Sequence, residues 1–570
     1  MKGRNLLSLL MLAFMLAGTL LGCSPQTPAA EPTTVPAVEE APTEAGEPLA
    51  IEEAPPAEEP VEEAAEAPVV DKESSTLVYG MSITVITPDI QQSQGGLEAV
   101  VHQFINGTLL AKDVDGKYIP YLAKSWEVSE DGLVYTFNLR DDVTWHNGEP
   151  MIAQDWVYTF TRAVSGDVIG VATSKLTSLV NAEALDDHTL QVTLSEPYYP
   201  FLYFLSSVWS SPVQEKYISE QGSGENIDTW MGVGPYRFVE YATDDYVLLE
   251  RNPDYTWGPD YGVDASPGPY SIPNVEIRII QEYATIAAGL EAGEIDFATI
   301  QPNEAPLLEE NFDIYEEVAI GLVNVSLNTQ VAPFDNFALR QAVNYATNRD
   351  AIVQVAAQGN ALKILGPIPP SVIGYWDGAD EVSYDYDPEM AKAKLEEAGY
   401  TLNADGLAEK DGEVLEIVMD IPPDTLYVNT AQLLQQQWAE VGIQLTIQQD
   451  EWGVLIQNVL PGNYIAAIMD YGDYEADFLY GIFISSNMDI MNISRVSDPV
   501  LDEMLIRTRT TVDPDARQQV VDEVQAYITE NAYLVPIMAR KDLNALARRI
   551  HGVQGTFFTG LILADAYIEE

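Results

Sequence analysis

The sequence predicts a mixed α/β protein built from several lobes. Runs in which apolar and polar residues alternate recur along the chain, as in 133–139 (LVYTFNL) and 246–250 (YVLLE), and this period of two is typical of strands. Asp387 can cap a helix that has Pro388 at its first position and Gly399 after its last turn. A length of 570 residues allows roughly two to four domains, so this mixture indicates several α/β lobes.

Two further patterns support this fold class. Leu339, Ala342, Val343 and Ala346 recur at helical spacing, which predicts one buried helix face. The pair 411–412 (DG) lies between short apolar segments and predicts a hairpin turn.

The composition excludes several classes of function. The chain has 89 Asp and Glu, 27 Lys and Arg, and a formal net charge of −62. Nucleic acid is therefore not expected as a partner, because phosphate binding needs clustered cations. The acidity favours a highly solvated surface, as suits high salt, over an acidic binding groove. One Cys and four His permit neither an intrachain disulfide nor a Cys-based zinc cluster, and we predict no metal or cofactor.

The first residues have the pattern of a lipoprotein export signal. Lys2 and Arg4 precede an apolar run over 6–21, and 20–23 (LLGC) resembles a bacterial lipobox. We expect 1–23 to be a signal peptide and lipobox, with Cys23 lipidated and the rest of the chain outside the cytoplasmic membrane. An uncleaved membrane anchor is the alternative. No later segment is apolar for long enough to span a bilayer.

The region 24–75 is predicted to be a disordered stalk. Its part 24–70 contains twelve Glu, ten Pro and no Lys, Arg or aromatic residue. Such a segment cannot bury enough apolar surface to offset its chain entropy. An acidic partner-binding tail is the alternative.

Catalytic signatures are mostly absent. We find no Gly-x-Ser-x-Gly, no phosphate-binding loop and no His-Glu-x-x-His motif. Carboxylate pairs that could serve a glycosidase occur throughout a chain so rich in acids. The sequence therefore favours a protein that is not an enzyme, with a surface glycosidase as the weak alternative.

A set of short motifs resembles the extracellular solute-binding proteins of the oligopeptide/dipeptide type, solute-binding protein family 5, which serve ABC importers. They occur in order along 77–570: 122–127 (LAKSWE), 131–141 (DGLVYTFNLRD), 145–148 (WHNG), 232–236 (GVGPY), 250–255 (ERNPDY), 290–296 (LEAGEID), 327–329 (LNT), 339–343 (LRQAV) and 384–400. Most of these residues are interpreted as scaffold, and His146 in particular as structural.

The resemblance implies a periplasmic-binding-protein fold with two hinged lobes and an extra subdomain inserted in the first. The crossings between lobes are expected near 327–329 and 535–537. The implied segments are 76–110 (first lobe), 111–230 (inserted subdomain), 231–328 (first lobe), 329–534 (second lobe) and 535–570 (first lobe).

The function implied by the resemblance is capture of extracellular oligopeptides between the lobes and delivery to a permease, without chemistry. Permease and ATPase subunits are the expected partners, the lipid anchor is the only membrane contact, and the chain is expected to be a monomer. An oligosaccharide receptor of the same architecture is the first alternative. A chemosensory or adhesive surface protein is another, and nickel is disfavoured because His is scarce.

The ligand site is predicted around 469–474 (MDYGDY). Peptide-binding members of the family carry Trp-x-Ala-Asp-Tyr here, and the Asp pairs with the peptide α-ammonium. Asp473 and Tyr474 match its end, while Tyr471 takes the Trp place with one residue missing, so Asp470 is the competing anchor. Trp452 is a candidate aromatic contact. The alternative is that Asp473 is one more surface acid.

The same part of the chain lacks positive charge. Between Lys410 and Arg495 there is no Lys, Arg or His, but there are thirteen Asp or Glu. From this we predict poor binding of anionic ligands and of dipeptides held by both termini. An extended peptide held by its N-terminus and by backbone hydrogen bonds fits this composition better.

Overall fold

A computed structural model describes residues 76–569, apart from 84, 86, 94–96, 114–115, 222–227, 262–266 and 555–560. The predicted signal peptide with Cys23 and the predicted stalk over 24–75 lie outside the described residues. Within the described part of the chain, every helix is too short or too polar to cross a bilayer.

The strands are short, with one exception near the C-terminus. They are β1 Thr76–Met81, β2 Leu110–Lys112, β3 Tyr118–Pro120, β4 Ala123–Val128, β5 Val134–Leu139, β6 Leu179–Asp186, β7 Thr189–Leu194, β8 Tyr236–Ala242, β9 Tyr246–Arg251, β10 Asn274–Ile279, β11 Phe297–Ile300, β12 Phe312–Val318, β13 Leu322–Leu327, β14 Ala361–Lys363, β15 Thr401–Leu402, β16 Ala408–Lys410, β17 Glu413–Val414, β18 Glu416–Ile421, β19 Gln444–Gln449, β20 Ala466–Tyr471, β21 Leu534–Ala547, β22 Ile550–His551 and β23 Tyr567–Ile568.

The helices alternate with these strands. They are α1 Leu97–Ile105, α2 Ala153–Val164, α3 Val171–Lys175, α4 Pro200–Leu205, α5 Glu215–Gln221, α6 Tyr283–Glu291, α7 Ala305–Leu308, α8 Phe337–Tyr345, α9 Arg349–Val355, α10 Ala379–Val382, α11 Pro388–Glu397, α12 Thr425–Ala439, α13 Trp452–Val459, α14 Phe478–Phe483, α15 Pro499–Thr510 and α16 Pro514–Glu530, with 3-10 turns at Val208–Ser210 and Ser485–Asn487.

One long mixed sheet runs through both lobes. Its strand order is β19-β18-β20-β13-β21-β11-β1-β10-β9-β8, and β12 and β14 also pair with β21. The first half of β21 pairs with β13 and β14, for example Val535 opposite Val325. Its second half pairs antiparallel with β11 and β12, for example Leu543 opposite Glu316. β21 therefore belongs to both lobes.

The buried apolar residues form two main cores that follow this division. One core contains residues of 77–312 and 543–566, and the other contains residues of 322–539. Two strand connections join the cores, one between Val318 and Leu322 and one within β21. A link of two strands between separate cores can bend while each lobe stays rigid.

These positions differ from the crossings that the resemblance implies. β13 and the first half of β21 lie in the second core, so the change of lobe comes before 327–329 and after 535–537. The physical reason is that an extended strand has the same sequence pattern in either lobe. The other predicted segment boundaries stay predictions.

A separate four-stranded antiparallel sheet, β4-β5-β7-β6, lies within the predicted insertion 111–230. Helix α2 contacts it and buries Trp156 and Phe160. The core of this sheet is continuous with that of the first lobe.

Several local predictions are confirmed. Strands β5 and β9 cover the two alternating runs, and the 339–346 face of α8 is buried. Helix α11 begins at Pro388, and the Asp387 side chain accepts hydrogen bonds from the next two free backbone N–H groups. Asp411 and Gly412 both have positive φ, 55° and 86°, and turn β16 into β17, as a two-residue hairpin requires.

Candidate functional site

The two lobes meet beside the segment that follows β20 in the second lobe. β20 pairs with β13 and ends at Tyr471. The chain then runs alongside Ile373, whose N–H donates to the carbonyl of Tyr474 and whose carbonyl accepts from the N–H of Ala476. Helix α14 begins at Phe478. Backbone hydrogen bonds on both sides of Glu475 therefore hold the acidic segment 473–477 in place.

Asp473 forms an ion pair with a residue of the other lobe. The Lys175 Nζ, at the last residue of α3, lies 3.0 Å from Asp473 Oδ2, and the two side chains are 20% and 13% exposed. The other carboxylate oxygen, Oδ1, accepts the backbone N–H of Tyr474 at 2.7 Å. Burial lowers the pKa of Lys175, but the charge and hydrogen bond of Asp473, together with the charges of Tyr198 and Asp477, outweigh burial, so that the Lys175 pKa lies above its usual value. Asp473 is thus a shielded carboxylate already bound to an ammonium.

The next two acids pair with arginines of their own lobe. Arg517 Nη2 lies 2.5 Å from Glu475 Oε1, and both side chains are almost completely buried. Burial raises the pKa of Glu475 despite this partner. Asp477 binds Arg509 through both oxygens, at 2.6 and 2.8 Å. Burial raises the pKa of Asp477, but the Arg509 guanidinium more than compensates and the pKa lies below its usual value.

Tyrosines of the first lobe cover these arginines. The Arg509 guanidinium lies 5.2 Å from the ring centre of Tyr198, and the Arg517 guanidinium lies 4.3 Å from that of Tyr199. The Tyr198 hydroxyl donates to Asp477 at 3.4 Å, and the Tyr199 N–H donates to the Arg509 carbonyl at 2.8 Å. Aromatic, ionic and backbone contacts therefore connect the lobes in this conformation.

A second lysine of the first lobe faces the same acids. Lys112 on β2 is buried, and its Nζ lies 4.2 Å from the ring centre of Tyr203. Burial lowers the pKa of Lys112 to about 7, although the charges of Glu475 and Asp473 oppose the shift. Tyr474 lies among these groups, and burial together with the charges of Asp473 and Asp542 raises its pKa to about 12.

Asp470, the competing anchor, lies instead beside the link between the lobes. It is buried, accepts the Tyr427 hydroxyl at 3.0 Å and lies 3.5 Å from Arg540 Nε on β21. Gly321, which joins β12 to β13, packs so closely that a Cβ there would lie 2.4 Å from the Asp470 carboxylate. Asp470 is therefore held next to the strands that link the two lobes.

Two of the three aromatic residues of the predicted site, Tyr471 and Trp452, contact other parts of the second lobe. The Tyr471 hydroxyl donates to Asn324 at 3.2 Å inside the second core. Trp452 donates from Nε1 to Asp424 at 3.1 Å and packs edge-on against Tyr427. Asp473 and Tyr474 therefore lie at the lobe junction, whereas Trp452 and Asp470 both contact Tyr427.

The tertiary structure corrects the inference that cations are absent here. The acids of 470–477 have cationic neighbours from outside the cation-free stretch: Lys112, Lys175, Arg509, Arg517 and Arg540. Sequence analysis missed all five, because Lys175 and Asp473 are 298 positions apart and no local pattern links them. The predicted exclusion of anionic ligands therefore loses its basis.

His146 has the structural role that the sequence indicated. Its Nδ1 accepts the Gly232 N–H at 3.3 Å, so Nε2 carries the proton and donates to the Gly234 carbonyl at 3.2 Å. A Cβ on Gly232 would lie 1.8 Å from the Ile105 carbonyl oxygen, so only glycine fits at this close approach of two backbone segments. Two family motifs thus pack against each other as scaffold.

Among the described residues, no three His, Cys, Asp or Glu side chains are grouped so that they could hold a metal ion. The chemistry at the lobe junction is that of carboxylates, ammonium and guanidinium groups, and phenol rings. Such a set can bind a charged solute by ion pairs and hydrogen bonds.

Comparison with known proteins identifies the family. The family described as "Bacterial extracellular solute-binding proteins, family 5 Middle" matches residues 117–489. Heme-binding protein A of Haemophilus influenzae is 29% identical over 468 residues, which are 77% of this chain and 82% of that protein. Di/tripeptide-binding protein 2 of Pseudomonas aeruginosa is 26% identical over 497 residues, 80% of this chain and 87% of that protein.

A solved structure agrees with these sequence matches. The ABC transporter substrate-binding protein CtaP of Listeria monocytogenes superposes with a TM-score of 0.74 at 25% identity, over 88% of this chain and all of that one. The fold is therefore the two-lobed α/β fold that the sequence predicted. The chain belongs to family 5 of the bacterial extracellular solute-binding proteins, the solute receptors of ABC importers.

Proposed function

We propose that the protein captures oligopeptides with a free amino end for an ABC importer, and that Asp473 binds the peptide α-ammonium. The observation that carries the proposal is the ion pair between Asp473 and Lys175, in which a carboxylate at the lobe junction already binds an ammonium at 3.0 Å. A peptide N-terminus offers the same charged group.

The environment of Asp473 supports this role. A largely buried carboxylate binds a cation more strongly than a surface one, because less water screens the charges. Each charge also offsets the desolvation of the other, provided that both make hydrogen bonds. Asp473 meets this condition, since its Oδ1 accepts the Tyr474 N–H and leaves Oδ2 for an ammonium.

Hinge closure is the proposed means of capture. The lobes are connected at 318–322 and through β21, and they touch again at the Tyr198, Tyr199 and Asp473 contacts. Opening at the link would break those distant contacts. A ligand that binds both lobes then shifts the equilibrium towards the closed form by its differential affinity.

The relatives support a peptide ligand, since the Pseudomonas aeruginosa relative is named for di- and tripeptides. The Haemophilus influenzae relative is named for heme, so heme is included as an alternative ligand in the test. With Lys112 and Lys175 at the junction, a ligand carboxylate also has cations nearby.

Anchoring and delivery complete the proposal. A lipidated Cys23 would hold the protein on the outer side of its membrane, and the acidic, proline-rich 24–75 stalk would separate the lobes from the lipid. The closed, liganded lobes would then dock on a permease that is driven by an ATPase.

The test begins with native mass spectrometry of the full chain purified in detergent. A mass excess that resolves into peptides supports the proposal, whereas hexose-spaced masses or bound heme contradict it. Calorimetry then compares a peptide mixture with its N-acetylated form. We expect Asp473→Asn to weaken binding of the free peptides by about 10- to 100-fold, the range for one charge-assisted hydrogen bond.

The matched control is Asp489→Asn. Asp489 forms an ion pair with Arg495 at 3.0 Å, in the same lobe as Asp473, but its side chain is 78% exposed. This variant should bind both peptide forms like the wild type. Equal binding of free peptides by wild type and Asp473→Asn contradicts the proposed anchor.

A further inference from the structure

Lys175 occupies the position on Asp473 that a ligand ammonium needs. Its Nζ lies 3.0 Å from Oδ2, while Oδ1 is bound to the Tyr474 N–H. Both oxygens are thus engaged without any ligand. An incoming α-ammonium must displace Lys175 from Oδ2 or share that oxygen with it.

The ion pair also joins two separate cores. Lys175 ends α3, which packs with the first-lobe core through Ala172, whereas Asp473 follows β20 of the second. The pair can therefore form only when the lobes are together. Lys175 is in this respect chemically equivalent to a ligand, since both place an ammonium on Asp473 and both favour closure.

We infer that Lys175 competes with the amino terminus of the ligand for Asp473. In the empty protein Lys175 holds the lobes together, and it lowers the affinity for peptides with a free N-terminus. The inference rests on the proposed peptide-binding role of Asp473 and adds the residue that sets its selectivity. Displacement of Lys175 costs binding free energy, so only peptides with enough further contacts bind tightly.

The first test is calorimetry on Lys175→Met in the full chain. Removal of the competitor leaves Asp473 without its cation, so free peptides should bind about 5- to 20-fold tighter, while N-acetylated peptides, which cannot replace the lost ion pair, should bind no tighter than to the wild type. Lys175→Arg keeps the positive charge and should stay near the wild type. Lys124→Met removes an exposed ion pair with Asp141 in the same subdomain and serves as the control.

The second test needs no ligand. Spin labels at Val180→Cys and Val500→Cys, exposed positions on different lobes, report the distance between lobes by double electron–electron resonance in a Cys23→Ser background. Lys175→Met should shift the empty protein towards longer distances, and Lys175→Arg should not.

The outcomes separate this inference from the proposed function. The inference is overturned if Lys175→Met unfolds at the wild-type temperature but binds free peptides no tighter than the wild type. Weaker binding would mean that Lys175 contributes to ligand binding, and unchanged binding would mean that it has no effect on it. An unchanged distance distribution overturns it as well. If the wild type binds no peptide, the proposed function fails and the competition with it, while the distance measurement still decides whether Lys175 holds the lobes together.

Discussion

Asp470 and Asp473 lie on the same short stretch of chain, yet their partners come from different parts of the molecule. Asp470 binds Tyr427 and Arg540 beside the strands that link the lobes, whereas Asp473 binds Lys175 of the opposite lobe. A partner on the same lobe is acquired once, during folding. Under the proposed hinge motion, a partner on the opposite lobe could be exchanged at each opening, which is the property that a reversible ligand site needs.

The pair between Arg517 and Glu475 tests the fixed side of this comparison and should give the largest effect. Arg517→Met leaves Glu475 as an uncompensated buried charge, which should lower the free energy of unfolding by about 3–5 kcal/mol. Urea denaturation with and without ligand should show the same loss. Arg507→Met, which removes an exposed pair with Glu523, should change the free energy of unfolding by less than about 1 kcal/mol. Similar small losses for both variants would mean that Glu475 becomes protonated or solvated at little cost.

The two aspartates should differ in the same measurement. Asp470→Asn should lower the free energy of unfolding by about 1–3 kcal/mol, because the buried Tyr427 hydroxyl and Arg540 lose their charged acceptor. Asp473→Asn should cost less, because Lys175 reaches water when the lobes separate. A larger loss of stability for Asp473→Asn than for Asp470→Asn would show that the lobes do not separate freely.

Lys112 should give the smallest effect and one that depends on pH. Burial lowers its pKa to about 7 in the folded chain, against 10.5 for an exposed lysine. The unfolded chain therefore binds more protons between these values, and stability should rise with pH across that window. Below pH 7 the full cost of burying the charge is present.

Lys112→Met should accordingly be more stable than the wild type at pH 6, by about 1 kcal/mol or more, because the substitution removes the cost of burying a charged ammonium. The difference should shrink as the pH rises from 7 towards 10.5. Thermal unfolding at pH 6 and pH 10 measures it, with Lys124→Met as an exposed control that should show no such trend. If the difference in stability between Lys112→Met and the wild type is the same at both pH values, the Lys112 ammonium is solvent-exposed and the prediction is wrong.

Much of the fold could be predicted because its signals are local. The alternation in β5 and β9, the cap at Asp387 and the turn at 411–412 each depend on neighbours within a few residues. The motif order along the chain was sufficient for the family, which the comparisons confirm. The position of the link between the lobes could not be predicted this way, since β21 is one continuous strand that serves both lobes.

The candidate site shows the same limit more sharply. The sequence was sufficient to predict a ligand site among the acidic residues and tyrosines of 469–474 and to show that no cation lies near them along the chain. Only the tertiary structure decided which cations face them, and that Asp473 and not Asp470 reaches the other lobe. The physical reason is that an ion pair depends on distance in space, and folding brings Lys175 next to an aspartate 298 residues away.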